Sequence, residues 1–185
     1  MPQQKPPELT SDWDELLQAR NGSQEAWRVL FDQHAPRLLR MAALIVGSTD
    51  AARDCVQETF VRVLRSTVHH QTGTLQAYLS TIAYRLALKE SIRLRRLVPQ
   101  GSPEAASPGP SPLEDAIAGE RQREVARALQ SLPPRHREIL ILRLHGEHSY
   151  EEIAEMTGLP LGTVKSRIFY AVRQIRTMMK KRGVE

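Results

Sequence analysis

Apolar residues recur at three- and four-residue spacings along most of the chain, which is the period of an amphipathic helix. In the first half, Val56, Phe60 and Val63 share one side of a segment that we predict to be helical from about Asp50 to Ser66. The same pattern predicts three further helices in this half. We expect them at about residues 12–20, from the break at 21–23 to the glycine at 47, and at 75–97.

The second half of the chain carries a helix-turn-helix pattern. Helices are predicted at about residues 121–132, 135–144 and 150–157, and from 161 onward. Ser149 followed by Glu152 fits a capping box, in which side chain and backbone satisfy each other at a helix start. Gly158 can adopt the left-handed conformation that a tight exit requires. Two short helices joined through such a turn are the helix-turn-helix arrangement.

The last predicted helix has two distinct faces. Its expected buried stripe consists of Val164, Ile168, Val172, Ile175 and Met179. Its other face carries Lys165, Ser166, Phe169, Tyr170 and Arg173. Donors, rings and a guanidinium of this kind can contact base edges and phosphates in a major groove. An ordinary solvated helix of a bundle has the same amphipathic form, so the pattern leaves both interpretations open.

The composition changes abruptly at Val98, where the run VPQGSPEAASPGPSP holds five of the twelve prolines. Proline lacks a backbone donor and fixes its own backbone, so the run predicts a flexible linker rather than a helix or a central strand. The expected fold is therefore all-α, with two small helical domains on a tether. Its predicted parts are a disordered tail at 1–10, a first domain at 11–97, the linker at 98–113, a second domain at 114–180 and a tail at 181–185.

The composition favours helices and limits the classes of partner and compartment that fit the chain. Hydrophobic residues make up 41% and aromatic residues only 5%, which favours helical packing, and the formal charge of +5 suits a polyanionic partner. The single cysteine, Cys55, excludes an internal disulfide and indicates a reducing compartment, with Cys55 as a small buried residue. No stretch approaches about 18 consecutive apolar residues. We therefore expect a soluble, cytoplasmic protein.

Catalytic and metal-binding motifs are missing from the sequence. There is no glycine-rich phosphate loop with a lysine, no nucleophile elbow and no carboxylate pair at a recognisable spacing. His145 and His148 straddle Gly146 near a helix break, which is a poor arrangement for a metal site. We predict that the chain is not an enzyme and that it needs neither a cofactor nor a small-molecule substrate.

These patterns alone do not assign a role to two other polar surfaces. On the helix at 50–66, Asp54, Gln57 and Glu58 lie largely opposite the apolar side. They form either a docking face for a partner or an ordinary solvated surface. On the fourth helix, Arg85 and Lys89 precede a basic end. Basic residues there complement the helix dipole, but a surface that faces nucleic acid explains them as well.

Three strings in the chain resemble a known family. GLPLGTVKSRIFYAVRQIR, preceded by SLPPRHREILILRLHGEHSYEEIAEM, is similar to region 4 of sigma factors, and DAARDCVQETFVRVLR is similar to the core-polymerase-binding part of region 2. The length leaves no room for the additional regions of housekeeping sigma factors. The chain thus resembles the extracytoplasmic-function (ECF) group of the sigma-70 family. This resemblance implies an alternative sigma factor that binds core RNA polymerase and directs transcription initiation at promoters.

The resemblance also implies roles for candidate residues in region 2. Docking on the β′ clamp helices is assigned to Asp54, Gln57 and Glu58, above a buried Phe60. Contacts with the unpaired minus 10 bases are assigned to His70, Gln71, Thr72, Arg85 and Lys89. Arg85 and Lys89 stand where the family usually shows Asn and Asp, so the preferred minus 10 bases do not follow from the resemblance.

In region 4, the resemblance places minus 35 recognition on the second helix of the motif. The residues concerned are Thr163, near phosphate, together with Lys165, Ser166, Phe169, Tyr170 and Arg173. Tyr170 stands where arginine is frequent, and we therefore expect a minus 35 preference shifted from the commonest one.

The implied partners are core polymerase, through its β′ clamp helices and β flap, promoter DNA and an anti-sigma factor. The free chain is expected to be a monomer. The alternative is a helix-turn-helix transcription regulator that is not a polymerase subunit, with a sensor or dimerisation domain in its first half. That alternative predicts dimers, palindromic sites and tight duplex binding without polymerase.

Overall fold

The computed structural model describes residues 11–67, 73–97 and 127–181, which form helices with short connections and no strand within those ranges. The helices are α1 (Asp12–Arg20), α2 (Gln24–Val46), α3 (Thr49–Arg65), α4 (Leu75–Leu97), α5 (Pro134–His145), α6 (Tyr150–Thr157) and α7 (Leu161–Lys181). Residues 127–130 are also helical. The predicted all-α fold is confirmed. The predicted linker at 98–113, residues 1–10 and 182–185, and the start of the helix predicted at 121 lie outside the described residues.

The helix ends follow the local chemistry of the sequence. The amide of Glu152 donates to the Ser149 hydroxyl oxygen at 3.0 Å, and the Glu152 carboxylate accepts from the Ser149 amide at 2.6 Å. Ser11 and Asp14 form the same capping box at the start of α1. Gly158 has a φ of 67° and ends α6 in the left-handed conformation. The predicted capping box and turn of the helix-turn-helix are thus confirmed.

In the first half, α2 packs against α1, α3 and α4. Leu38, Met41 and Ala42 of α2 are inaccessible to solvent, and Cys55 of α3 is buried, as predicted. Nδ1 of the buried His34 lies 2.8 Å from the Gln76 side-chain oxygen, which joins α2 to α4 inside this core. Across the described residues, no helix is both long enough and apolar enough to cross a membrane.

In the second half, α7 packs mainly against α5, and α6 contacts both helices. Val164 and Ile168 are buried, in agreement with the predicted stripe, but the prediction was wrong at Val172. Val172 is 40% exposed, whereas Ala171 is inaccessible. An α-helix completes one turn every 3.6 residues, so two successive four-residue steps, from Val164 to Ile168 and then to Val172, place the last side chain outside the buried face. The small side chain at 171 fills the position instead.

The two halves pack against each other through one continuous core. In α5, the four consecutive residues Ile139, Leu140, Ile141 and Leu142 are buried. Consecutive positions point to different sides of a helix, so α5 must be covered from more than one direction. Helices α6 and α7 cover it on one side, and α2 contacts it from the first half. The sequence predicted two domains on a tether without this contact between them.

Candidate nucleic-acid and polymerase interfaces

The outer face of α7 is accessible to a partner. Phe169 is 63% exposed and Tyr170 is 57% exposed, and their ring centroids lie 5.8 Å apart in an edge-on arrangement. Lys165, Ser166 and Arg173 are also exposed. The predicted recognition face therefore lies on the surface and not in the interior of the protein.

A groove of about 550 Å³ runs along this face between Tyr150 of α6 and the length of α7. Its cationic lining consists of Lys165, Arg173, Arg176 and Lys180. The guanidinium carbon of Arg143 lies 5.5 Å from the centroid of the Tyr150 ring and adds charge at its edge. A concave surface that combines cations with aromatic carbon suits a phosphate backbone and the adjacent base edges. Sequence reasoning missed Arg176 and Lys180, which follow Arg173 at helical spacing.

Thr163 lies in the first turn of α7, where its amide donates to the Pro160 carbonyl at 2.8 Å. The Ser166 hydroxyl donates to the Thr163 carbonyl at 3.0 Å. The start of a helix carries partial positive charge, so an anion is stabilised there. The position of Thr163 suits a contact with a DNA phosphate.

The polar residues of α3 share one exposed surface. Asp54, Gln57 and Glu58 are exposed, and Phe60 is 3% exposed on the opposite side. The Glu58 carboxylate accepts from Nε of Arg62 at 2.7 Å, and both side chains are about half exposed. The structure thus brings the three predicted docking residues together.

Beside them, a groove of about 440 Å³ separates α2 from α3. It is lined by Phe31, Ala35, Pro36, Leu39 and Val56, with Asp32, Arg53 and Gln57 at polar positions. The Phe31 ring is 37% exposed and packs against Phe60, with centroids 5.1 Å apart. An apolar centre with a polar rim is the composition of a protein-protein interface.

The minus 10 candidates on α4 lie one helical turn apart. Arg85 and Lys89 are both exposed. His70, Gln71 and Thr72 lie outside the described residues. Just after them, Thr74 caps α4 by accepting from the Ala77 amide at 3.1 Å, and Trp13 Nε1 donates to the Gly73 carbonyl at 3.3 Å.

Sequence reasoning missed the polar contacts that join the two halves. The Ser80 hydroxyl oxygen lies 2.6 Å from Nε2 of His148, and the Tyr84 hydroxyl donates to the Glu138 carboxylate. Burial and this hydrogen bond raise the pKa of Tyr84 above its usual range. The partners are 68 and 54 positions apart, so no local pattern relates them.

Family models match both halves of the chain. Residues 30–97 match sigma-70 region 2, and residues 128–177 match sigma-70 region 4. The chain is 32% identical over 165 residues to the ECF RNA polymerase sigma factor SigL of Mycobacterium tuberculosis, a match that covers 85% of this chain and 90% of SigL. The chain belongs to the ECF sigma factors of the sigma-70 family.

Other relatives agree with this ECF assignment. The chain is 31% identical over 169 residues to the RNA polymerase sigma factor CarQ of Myxococcus xanthus, with 90% of this chain and 96% of CarQ covered. It is 36% identical over 167 residues to the ECF sigma factor SigE of Mycolicibacterium smegmatis, where the match covers 86% of this chain and 64% of SigE. The chain thus spans less than two thirds of that SigE.

Solved structures share the fold. The sigma factor RpoE of Bartonella quintana, in complex with the anti-sigma factor NepR, is 25% identical and matches 83% of this chain and 96% of its own, with a TM-score of 0.59. CnrH, in complex with the cytosolic domain of CnrY, is 22% identical and matches 93% of this chain and 99% of its own, with a TM-score of 0.60. Sigma factors bind core RNA polymerase and promoter DNA, so this ECF sigma factor acts in transcription initiation, and the matches do not favour a regulator that works apart from polymerase.

Proposed function

We propose that this ECF sigma factor recognises the minus 35 element with α7, docks on core polymerase with α3 and captures the minus 10 strand with α4. The observation that carries the proposal is the exposed aromatic and cationic face of α7, supported from below by buried Val164 and Ile168. Polymerase supplies all catalysis, and the sigma factor supplies binding. In this proposal residues 11–97 act as region 2, residues 114–180 act as region 4 and residues 98–113 link them.

Minus 35 recognition is proposed for Lys165, Ser166, Phe169, Tyr170 and Arg173, with Thr163 on a phosphate. Lysine and arginine side chains can donate to guanine edges or to phosphates, and aromatic carbon can contact thymine methyl groups. The cationic groove gives this face affinity for any duplex, and the base contacts give it preference for a sequence.

Core docking is proposed for Asp54, Gln57 and Glu58 of α3. Their exposed polar atoms lie beside the apolar groove between α2 and α3, so a helix of the β′ subunit can bury apolar side chains there and pair its polar groups with the rim. A contact of region 4 with the β flap is a further part of the proposal.

Strand capture is proposed for Arg85 and Lys89 of α4, together with His70, Gln71 and Thr72. Two exposed cations one turn apart can follow the phosphates of an unpaired strand, while stacking and pockets hold its bases.

An anti-sigma protein is proposed as the inhibitory partner. CnrH and RpoE are each in a complex in their solved structures, RpoE with an anti-sigma factor and CnrH with the cytosolic domain of CnrY. The broad apolar and charged surfaces described above give such a partner places to bind in this chain as well.

The test is run-off transcription with purified core polymerase on a promoter library. We expect promoter-dependent transcripts with the wild-type chain, and about tenfold fewer with Arg173→Ala, because a lost guanidinium contact costs about 1–3 kcal/mol. Gln174→Ala, exposed on the same helix, is the matched control and keeps wild-type output. No transcript above core polymerase alone refutes the proposal.

A further inference from the structure

Two aromatic side chains stand next to each other on the outer surface of α7. Phe169 and Tyr170 are more than half exposed, whereas their neighbours Ile168 and Ala171 are buried in the core. The two ring planes meet at 74°, so that the edge of one ring contacts the face of the other. We call Phe169 and Tyr170 the aromatic pair. Its rings hold each other in place while they remain open to a partner.

The aromatic pair belongs to a larger apolar area on the surface of α7. Val172 follows Phe169 by three positions, is 40% exposed and lines the same groove as Phe169. Side chains three positions apart are neighbours on a helix surface. Single exposed apolar residues are ordinary, but adjacent ones that form a patch mark an interaction site. The patch on α7 therefore indicates a partner that offers apolar groups to it.

The charges around the patch identify that partner as a polyanion. None of the 21 residues of α7 is acidic. The cations that line the groove beside Phe169 are Lys165, Arg173, Arg176 and Lys180. An apolar area inside a surface of one positive sign favours a ligand that carries negative charge along its length and an apolar group between the charges. Duplex DNA has this composition when a base in the groove carries a methyl group.

The major groove of DNA offers aromatic carbon one apolar group on its base edges. The edges of the four base pairs present hydrogen-bond donors and acceptors, and thymine adds its 5-methyl group. A polar edge placed against ring carbon loses its bonds to water without replacement, whereas a methyl group gains from the same contact. Because the two rings are already ordered by their mutual contact, little conformational freedom is lost when a methyl group binds to them.

We propose that the aromatic pair is a binding site for the 5-methyl group of a pyrimidine in the minus 35 element. The inference rests on the proposed recognition of that element by α7 and names the chemical group that Phe169 and Tyr170 contact there. Burial of one methyl group strengthens binding about fourfold. Promoters that carry the methyl group at this position are therefore preferred over promoters that differ from them by that group alone.

Removal of single methyl groups from the DNA tests this site in the holoenzyme. The minus 35 element used is the one that the holoenzyme selects from a random pool. Each thymine in it is replaced in turn by uracil, which keeps the base pair and lacks only the methyl group. Competition between the two duplexes for the holoenzyme gives the ratio of their Kd values. The test variant is Phe169→Ala/Tyr170→Ala, which leaves the core intact because both rings are exposed.

With the wild type, we expect uracil to weaken binding about fourfold at one or two positions of the element. The double variant should bind the thymine and uracil duplexes equally, and any effect of uracil on the duplex itself cancels in this comparison. Lys180→Ala is the matched control. It should weaken binding to both duplexes and keep the fourfold ratio, because a lost charge acts on every sequence alike.

Cytosine supplies a second comparison at each sensitive position. A duplex with 5-methylcytosine there should bind the wild-type holoenzyme about fourfold more tightly than the duplex with cytosine. The two bases differ by the methyl group and share every hydrogen-bonding group, so this ratio separates the methyl group from the other groups of thymine. The double variant should again bind both duplexes equally.

Three results overturn the methyl site. In the first, no position of the selected element responds to the methyl group with the wild type. In the second, the double variant keeps the wild-type ratios. In the third, the double variant loses binding to core polymerase without DNA, which assigns the aromatic pair to a protein partner. A failure of minus 35 recognition itself is distinguishable, because then no minus 35 element is selected and Arg173→Ala has no effect.

Discussion

The side chains of Ser80 and His148 lie 68 positions apart in the sequence and meet in the interior, with 2.6 Å between the serine oxygen and Nε2. The Ser80 hydroxyl has one proton and two carbonyl oxygens in reach, Ala77 at 2.9 Å and Gly146 at 3.0 Å. The arrangement is best satisfied when Nε2 carries hydrogen and donates to the serine oxygen, which in turn donates to a carbonyl. One contact therefore joins α4 to residues 146–149, the segment between α5 and α6.

Ser80→Ala should destabilise the protein by about 1–3 kcal/mol, because it leaves the His148 ring nitrogen buried without its partner. Urea unfolding measures the effect. Thr177→Ala is the control, since the Thr177 hydroxyl is exposed and donates to the Arg173 carbonyl of its own helix at 2.9 Å. Equal unfolding free energies for the two variants would contradict the buried contact.

Stability should fall as the pH is lowered from 7 toward 4. Burial, followed by the charges of Arg40 and Arg37, lowers the pKa of His145 to about 4. Burial also lowers the pKa of His148, opposed by Glu152 and Glu147. Both histidines are held neutral when folded, so the unfolded chain binds more protons below its histidine pKa of about 6.5. The two histidines therefore make their full contribution to the free energy of unfolding above a pH of about 6.5, and this contribution is lost as the pH falls below that value.

Urea unfolding between pH 7 and pH 5 measures this dependence. His145→Gln, which cannot titrate, should flatten the pH dependence, whereas the wild type loses stability across the window. A wild-type unfolding free energy that is constant or rises as the pH falls would show that neither histidine is held neutral.

Glu58→Lys should weaken binding to core polymerase by about tenfold, the effect of introducing one repulsive charge at an interface rim. A pull-down titration with core polymerase measures it. Glu25→Lys makes the same charge change at an exposed position near the start of α2 and should bind like the wild type. Equal losses for the two variants would assign the effect to net charge and not to the α3 surface.

Tyr170→Arg should change which minus 35 bases are preferred while leaving folding intact, because Tyr170 is 57% exposed. A guanidinium favours guanine edges, which a phenol ring does not bind in the same bidentate way. Selection of binding sites by the holoenzyme, compared between the variant and the wild type, measures the preference. Identical selected motifs would remove Tyr170 from the recognition face.

Most of the helices and the exposed recognition face could be predicted because their causes are local. The capping box at Ser149 and the left-handed Gly158 depend on residues a few positions apart. The packing of the two halves could not be predicted in this way, since Arg37 and Glu147 are 110 positions apart. The sequence feature that could have indicated this packing is the run Ile139–Leu142, because four consecutive apolar residues of a helix must be covered on several sides.

Sequencing of DNA fragments from a random pool tests the sigma-factor function most directly, when the fragments are those retained by the free chain, by core polymerase and by the two combined. We expect that only the combination enriches fragments with two separate motifs at a fixed spacing, one for α7 and one for the α4 face. Enrichment of a single palindromic motif by the free chain, unchanged when core polymerase is added, would contradict it.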